Sequence, residues 1–362
     1  FHINKWSDKG VKLKDNTQDF YVNMTLKDTE TLSRLLMPQL KISDNTNLTA
    51  TFTSNRYQLY TTIESDVIKY NNFTFNDIYI KNKTDNKKTT ANFSIKEFVI
   101  KEGTESNPVK LSMENLAFLV DAHNDSLLMN MTWDDDVVKD RNKGSVDASY
   151  VLNKGGGRLR ISAEDVLVND SVWSLSPMCY IDFKKNKIFI NDFDIHSGSQ
   201  SMSVNGFFPK TSRDTLNLDF NKLDISNFDL LTKGIDIDGI IDGNVKISGL
   251  SDKFTLFSNL DVAGIGVNKH IIGNGFIDAT WNAADTSVFI DTEVVRINSD
   301  EKILSLIGKY YTSRSDNLDF DLKFKDIDIS VVNAFTKGVL SRVSGKLNSD
   351  LDVVGSLKKP II

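Results

Sequence analysis

The residue types that most often carry chemistry in proteins are few in this sequence, and they lie far apart. The 362 residues include one cysteine, Cys179, and four histidines, His2, His123, His196 and His270. The histidines do not have the short spacing of metal ligands. A single cysteine permits neither an intrachain disulfide nor a cysteine-rich zinc site. We expect Cys179 to be a small core residue, because it lies in a strand-like apolar stretch.

Three short motifs begin like functional loops but do not complete them. Asp236-Ile-Asp238-Gly239 resembles the start of a calcium loop, yet its glycine comes too early and position 12 is not glutamate. Gly155-Gly-Gly157 precedes a strand pattern, so it does not predict a phosphate loop. Ser197-Gly-Ser199 lacks the flanking glycines of a nucleophile elbow. We therefore predict a protein that is not an enzyme and uses no metal or cofactor, and we assign the aspartates near 236 to a solvated strand face.

Composition indicates a folded and mildly acidic protein. Apolar residues make up 40% and charged residues 25% of the chain, with 43 basic against 49 acidic residues. This balance lacks the clustered basic excess of a phosphate-backbone binder, so no nucleic-acid partner is predicted. No apolar run approaches the roughly 20 residues of a membrane span. We expect the sequence to be part of a longer chain.

The elements that must position any site are predicted to be β-strands. Apolar and polar residues alternate in stretches such as Leu216-Asn-Leu218-Asp-Phe220, and short polar clusters separate these stretches. Helical pattern is confined to residues 29–37, 226–232 and 330–336. The last two begin with a serine placed as N-cap and end at a glycine placed as C′ residue. The sequence therefore predicts a nearly all-β fold with a few short helices.

One eight-residue pattern, which we call the octet, recurs six times. It consists of apolar-x-apolar, two polar residues, and apolar-x-apolar again. The six copies are Phe73–Ile80, Phe93–Ile100, Leu111–Phe118, Ile188–Ile195, Leu218–Ile225 and Leu322–Ile329.

Two structures would place all four apolar residues of an octet on one face. A two-residue hairpin would do so, but its central pair usually needs positive φ and favours Asn-Gly or Asp-Gly. No octet contains glycine at the central pair, and only the two Asn-Asp copies suit such a turn. The alternative is a continuous strand with one extra residue, a β-bulge, which bends the strand and increases its twist. We predict bulges, and six bulged strands predict a curved sheet.

Longer repeats are also present. Asp224-Ile-Ser226 and Thr232-Lys-Gly234 recur at an offset of 104 residues, within two loosely similar segments, 218–249 and 322–355. We predict that residues 1–362 form one continuous, repetitive β-structure.

An apolar sheet face requires a cover, and helices are too scarce here to provide one. The predicted strands are also too long, and the repeats too loose, for a compact sandwich. We predict a long sheet folded into a U-shaped groove whose apolar interior is partly open, as exposed apolar surface of that extent marks a binding site. Taken singly, each such residue is more often core than ligand contact. The predicted groove-lining residues are Phe73, Phe75, Ile78, Ile80, Phe93, Ile95, Phe98, Ile188, Ile190, Phe193, Ile195, Leu218, Phe220, Leu318, Phe320, Leu322, Phe324, Ile327 and Ile329.

Several short motifs, in this order, resemble those of a known family. The chain resembles the TamB group of AsmA-like proteins, in a Bacteroidetes-like version. The motifs are Asp170-Ser-Val-Trp173-Ser-Leu-Ser-Pro177, the octet at 188–195, Gln200-Ser-Met-Ser-Val-Asn205-Gly206, Phe276-Ile-Asp278-Ala-Thr280-Trp281-Asn282, Gly345-Lys-Leu347, and Leu351-Asp-Val353-Val-Gly355-Ser-Leu-Lys-Lys-Pro360. Each motif is short and degenerate, and their order over nearly the whole chain carries the resemblance.

The resemblance implies a periplasmic bridge anchored in the inner membrane by a segment outside this sequence. Its fold would be a U-shaped apolar β-groove, and its cargo would be phospholipid moving between the two membranes. It also implies an outer-membrane barrel partner of the BamA/TamA type, bound through another region. The alternatives are a scaffold or chaperone for assembly and secretion of outer-membrane β-barrel proteins, and an extracellular all-β structural module. The family supplies no catalytic residues to transfer.

Overall fold

The computed structural model describes residues 19–101, 111–135, 142–164, 166–168, 171–227, 237–250, 254–267, 270–328, 345–356 and 359–361. These residues lie almost entirely in antiparallel β-strands, so the all-β prediction is confirmed. The described part of the chain holds no helix with the length and apolarity that a membrane crossing requires.

Residue contacts divide the chain into two units, Phe1–Pro177 and Met178–Ile362. The strands of the first unit are β1 (Phe20–Leu26), β2 (Leu40–Ile42), β3 (Thr46–Thr53), β4 (Gln58–Tyr70), β5 (Phe73–Thr84), β6 (Lys88–Lys101), β7 (Leu111–His123), β8 (Ser126–Asp134), β9 (Lys143–Asn153), β10 (Gly156–Ala163), β11 (Val166–Val168) and β12 (Ser171–Leu175). From β3 to β10 each strand pairs antiparallel with the next, and β1 pairs with β3 at one edge. The unit is therefore mainly a meander, in which neighbours in sequence are neighbours in the sheet.

The second unit follows the same rule. Its strands are β13 (Tyr180–Lys184), β14 (Lys187–Ser197), β15 (Gln200–Phe207), β16 (Thr215–Asp224), β17 (Ile237–Ser248), β18 (Thr255–Val267), β19 (His270–Asn282), β20 (Ser287–Val295), β21 (Lys302–Tyr311), β22 (Leu318–Asp328), β23 (Lys346–Ser356) and β24 (Lys359–Ile361). Each pairs antiparallel with the next from β13 to β24. The prediction that one groove runs through residues 1–362 stays a prediction.

Helices are brief interruptions in the described chain. The helix predicted at 29–37 is present as α1 (Thr29–Leu36), and the Thr29 N–H donates to Asp44 Oδ1 at 3.1 Å. Of the segment predicted at 226–232, residues 225–227 form a single 3₁₀ turn, and the remainder lies outside the described residues. The helix predicted at 330–336 also lies outside them. The Ser226 side chain donates to Asp224 Oδ1 at 2.7 Å, which fixes this turn directly after β16.

The buried core is small for a chain with so many apolar strands. In the second unit it centres on Val294, Ile303 and Ile327, against which half-buried residues such as Leu304 and Phe324 pack. Few described side chains are almost completely buried, and Val99, Cys179 and Ser287 are the largest of them. Most apolar side chains are therefore half-buried, and the face they form is the feature that bears on function.

Candidate functional site

Every octet runs along a single strand, so the hairpin alternative is wrong. The strands are β5, β6, β7, β14, β16 and β22, and pairing continues on both sides of the central polar residues. Ile225, the last residue of the fifth octet, directly follows the end of β16. Ile329, the last residue of the sixth octet and one of the predicted groove-lining residues, lies outside the described residues.

The second of the two central residues adopts the left-handed conformation in five of the six octets. Its φ lies between 47° and 54° at Asp77, Asn115, Asp192, Lys222 and Asp326. Asparagine and aspartate tolerate this conformation better than other non-glycine residues do, because their short polar side chains bond locally. The sequence therefore has the residue type that this backbone position requires in four of the five cases.

In the second unit each octet shifts the strand register by one residue. The shifts fall between Ile190 and Phe193 in β14, between Phe220 and Leu223 in β16, and between Phe324 and Ile327 in β22. One extra residue on one strand is the definition of a β-bulge, so the bulge prediction is confirmed for these three octets. The extra residue returns the apolar side chains that follow it to the original face.

In the first unit the central residues of the octets are level with one another across neighbouring strands, so the register does not change at these residues. The register of β6 and β7 shifts further along, between Val99 and Lys101. Asp77 lies between the ladder pairs Asn76–Glu97 and Ile78–Ile95, which places it level with Lys96 of the next strand. Lys96 Nζ lies 3.6 Å from Asp77 Oδ2. Neighbouring strands thus carry the same irregularity at the same level.

Each octet bulge of the second unit is capped from the following strand. The bulge turns a backbone N–H out of the ladder, and a side-chain oxygen accepts its hydrogen bond. Asn205 accepts from Asp192 at 2.7 Å and Asp242 from Lys222 at 2.8 Å. Asn348 likewise accepts from Asp326 at 2.9 Å. Because an unpaired backbone donor is unfavourable, these Asn and Asp residues hold the bulges in place.

The octet pattern misses a further bulge, because its central residues are Ala263 and Gly264, which are not polar. It lies in β18, where Leu260, Val262, Ile265 and Val267 supply the apolar positions. Gly264 has φ 68°, the register shifts there, and the Gly264 N–H donates to the side chain of Asn274 at 2.8 Å. The signal that could have found it is the Asn-Gly or Asp-Gly pair on the following strand, which accompanies three of the four caps.

Strand register gathers the predicted stripe of the second unit into rows that cross ten strands, β14 to β23. Residues directly opposite each other on paired strands point to the same face of a sheet. One row contains Phe193, Val204, Leu218, Val245, Ser258, Ala279, Ile290, Gly308, Phe320 and Val353. The adjacent row contains Ile195, Met202, Phe220, Gly243, Leu260, Ile277, Thr292, Leu306, Leu322 and Leu351.

The other predicted residues of this unit belong to the same face at other levels. Ile188 and Ile190 precede the bulge of β14, and Leu318, Phe324 and Ile327 extend the alternation of β22. Ile190 pairs with Gly206 and Phe193 with Val204, two residues apart, which confirms that the bulge keeps them on one face.

The first unit forms an equivalent apolar face. One row crosses nine strands and contains Met24, Leu48, Ile63, Ile80, Phe93, Phe118, Met131, Val146 and Ala163. Ile78 and Ile95 are opposite each other on the same face, and the rings of Phe75 and Phe98 stack with centroids 4.7 Å apart. The ring centroid of Phe73 lies 5.8 Å from that of Phe98, and Phe73 is 39% exposed.

The opposite face of each sheet is mainly polar, although it also carries Phe189 and Phe207 in the second unit and Leu119 and Leu128 in the first. In the second unit, one row on that side contains Asp194, Ser203, Asp219, Asn244, Asn259, Asp278, Asp291, Ile307, Asp321 and Asp352. In the first unit, the corresponding row contains Asn23, Thr49, Thr62, Lys81, Asn92, Leu119, Asn130, Asp147 and Ser162. The sheets are therefore strongly two-sided.

The apolar face is neither a closed core nor a fully exposed surface. All ten residues of the row that contains Phe220 are half-buried. Neighbouring side chains of the same sheet are enough to cover about half of each residue, and a densely packed second layer would bury them further. Among the predicted lining residues, Ile78, Phe320 and Ile327 are buried, and an apolar ligand would contact their neighbours instead. The arrangement offers long apolar rows beside a polar face.

The chemically reactive residue types do not assemble into a site in the described part of the chain. Cys179 is buried, and burial raises the pKa of its thiol, which makes it a poor nucleophile at neutral pH. His123 and His196 each lie beside an aspartate two residues away in sequence. No group of three or more His, Cys, Asp or Glu side chains among the described residues is arranged to hold a metal. Asp238 and Gly239 lie in β17, as the strand interpretation predicted.

Comparison with protein-family models, with curated proteins and with solved structures found no match for this chain.

Proposed function

We propose that this protein is a conduit for phospholipid acyl chains, which lie against the apolar rows while the head groups remain in water. The single observation that carries the proposal is the row through Phe220, which continues across ten strands and stays half-buried throughout. An apolar surface of that length suits a hydrocarbon chain. Each chain methylene that leaves water contributes about 0.8 kcal/mol.

The resemblance of the sequence motifs to the TamB group supports a location and a partner for this activity. On that basis the protein bridges the inner and outer membranes in the periplasm, through an inner-membrane anchor and an outer-membrane barrel of the BamA/TamA type. Transport along the face would be diffusive, and the protein would not be an enzyme. The U-shaped groove belongs to the same proposal, and the bulges supply the curvature that it needs.

Photo-crosslinking tests the proposal directly. A benzophenone amino acid replaces Phe220 on the apolar face in one variant, and its neighbour Asp219 on the polar face in a matched variant. After incubation with phospholipid vesicles, we expect lipid adducts at position 220 and few at position 219. Equal labelling at both positions, or none at 220 in a folded protein, would contradict the conduit. Leu322→Asp, which places a charge in the same row, is expected to reduce lipid retention.

The alternative function is a scaffold for outer-membrane β-barrel assembly, and the β1 edge favours it. Among the described residues β1 pairs only with β3, and Tyr21 and Val22 are 66% and 40% exposed. A free strand edge can accept another strand through backbone hydrogen bonds. Crosslinks from Val22 to an unfolded outer-membrane protein, without lipid adducts at position 220, would favour this scaffold.

A further inference from the structure

The turns of the second unit gather at two opposite ends of its strands. This follows from the antiparallel order, in which successive connections alternate between the ends. One end, which we call the rim end, consists of residues 184–187, 208–214, 249–250, 282–287, 312–317 and 359–361. The far end consists of residues 198–199, 224–227, 237–238, 296–302, 325–328 and 345–346.

The two ends differ in charge. Within those ranges, the rim end carries seven lysine and arginine residues against three aspartates. The far end carries four lysine and arginine residues against six aspartates and glutamates. The chain as a whole is acidic, with a formal charge of −6, so the basic rim end runs against the overall balance.

At the far end every one of those four basic side chains is neutralised. Arg296 contacts Glu301 at 3.1 Å and Asp326 at 3.2 Å, and Lys346 contacts Asp326 at 2.6 Å. Lys302 pairs with Glu293 and Lys325 with Glu301. The hydrogen bond from Lys346 lowers the pKa of Asp326, as expected for a carboxylate held in an ion pair.

At the rim end most of the positive charge is unpaired. Lys187 forms an ion pair with the buried carboxylate of Asp214 at 2.6 Å, and Asp285 forms one with Lys309 at 2.7 Å. The remaining basic side chains of this end are exposed and form no ion pair among the described residues. They are Lys184, Lys185, Lys210, Arg213, Arg314 and Lys359. Strand register places Lys184, opposite Lys187, and Lys359, opposite Ser356, on the polar face. The guanidinium of Arg314 lies 3.8 Å from the ring centroid of Tyr311, which is also on the polar face. The other three, Lys185, Lys210 and Arg213, are what we call the basic rim.

The basic rim lies in turns that adjoin the apolar face. Lys185 lies in the turn between Phe183 and Ile188, which are opposite each other on that face. The turn at 208–214 bonds to the next turn through Leu250 N–H and Pro209 O at 2.8 Å, and the turns at 282–287 and 312–317 are joined through Thr312 N–H and Thr286 O at 3.0 Å. Lys210 and Arg213 lie in the turn that directly precedes β16, whose first apolar-face side chain is Leu216.

We infer that the basic rim binds the anionic phosphate head groups of phospholipids whose acyl chains lie on the apolar face. The inference rests on the proposed function and names its substrate class, which is anionic phospholipid in preference to zwitterionic phospholipid. Lysine and arginine near a lipid surface attract anionic head groups by about 1 kcal/mol each. Phe208 and Leu250 are 46% and 54% exposed at the same end, where they are placed to contact the glycerol region.

The test measures which lipid the protein retains. The purified chain is incubated with vesicles of equal parts phosphatidylglycerol and phosphatidylcholine, re-isolated, and analysed by native mass spectrometry. We expect the wild-type chain to retain phosphatidylglycerol at least about fivefold over phosphatidylcholine. Lys185→Glu combined with Lys210→Glu should remove that preference while total lipid stays similar. High salt should weaken the wild-type preference, because exposed charges are screened.

A matched variant has the same change of net charge on the polar face. Lys246→Glu combined with Lys323→Glu alters two exposed lysines that form no ion pair among the described residues, and we expect its lipid preference to equal that of the wild type. Retention of both lipids in equal amounts, or the same loss of preference in both double variants, would overturn the inference while leaving the conduit intact. Retention of neither lipid would instead contradict the conduit itself.

Discussion

At the scale of single residues, the Asn and Asp caps decide whether the bulges hold. Replacing Asn348 by alanine removes the acceptor for the Asp326 N–H and leaves that donor to water. Since this site is exposed, we expect a loss of about 0.5 to 1.5 kcal/mol in the free energy of local unfolding. Amide hydrogen exchange at Asp326 measures this local free energy. A global unfolding experiment is less suitable, because a chain with two units need not unfold in one step.

Asn259→Ala provides the control for that prediction. Asn259 also lies exposed on a strand of the second unit, but its side chain bonds to another side chain, that of Asp278, at 3.3 Å. We expect a change within about 0.5 kcal/mol. Asp242→Asn should likewise be nearly neutral, because the amide oxygen can still accept from Lys222. Equal effects of N348A and N259A would show that the caps do not hold the bulges.

At the scale of elements, the left-handed residue of each bulge sets which substitutions a strand accepts. Gly264 has φ 68°, and a Cβ at this position would have no neighbouring atom within 4 Å, so space is free and only conformation matters. Gly264→Asn should therefore be tolerated, as Asn115 adopts the same left-handed conformation within strand β7. Gly264→Val should destabilise the unit by about 1 to 2 kcal/mol, because a β-branched residue is strained there. Urea unfolding of the two variants distinguishes them.

Gly243 is the contrasting case on the neighbouring strand. Its φ is 129°, and a Cβ would come within 2.1 Å of the carbonyl oxygen of Asn259. Both conformation and space exclude a side chain, so even Gly243→Ala should destabilise the unit more than Gly264→Asn. Urea unfolding measures this variant as well. An alanine variant as stable as the wild type would contradict the prediction, because it would show that β17 and β18 can move apart at little energetic cost.

The bulged strands could be predicted from sequence because their pattern is local. Two polar residues between apolar pairs mark the slip in alternation at Lys325-Asp326 without any knowledge of neighbouring strands. The cap from Asn348 could not be predicted, because it depends on which residue of the next strand stands opposite the bulge. The bulge at Gly264 was missed since Ala263 and Gly264 do not interrupt the apolar pattern with polar residues.

The apolar face shows the same division between local and non-local information. Alternation places Leu218 and Phe220 on one side of their strand, but only the register shows that Leu218 and Phe320 share a row although they are 102 residues apart. The degree of burial was also beyond the sequence. Phe320 is buried while Leu322, in the adjacent row, is half-buried, and the difference depends on the neighbours that each side chain meets across the sheet.

At the scale of the whole molecule, each sheet separates an apolar surface from a mainly polar one. The polar face of the second unit concentrates negative charge in one row, in which Asp278 stands opposite Asp291 and Asp321 opposite Asp352. Like charges directly opposite on paired strands repel each other. The repulsion lowers stability, yet it keeps the polar face hydrated and discourages two sheets from associating through it.

Neutralising this row should stabilise the second unit. Asp291→Asn removes the repulsion with Asp278 and should raise the free energy of unfolding by about 0.2 to 1 kcal/mol at low ionic strength. The gain should shrink in high salt, although these two half-buried carboxylates are screened less than fully exposed charges are. Asp300→Asn, which alters an exposed aspartate in a turn outside the row, is the control and should change little. Thermal unfolding of both variants at two salt concentrations measures the gain in stability. A gain that does not depend on salt would show that Asp291 acts through packing and not through charge.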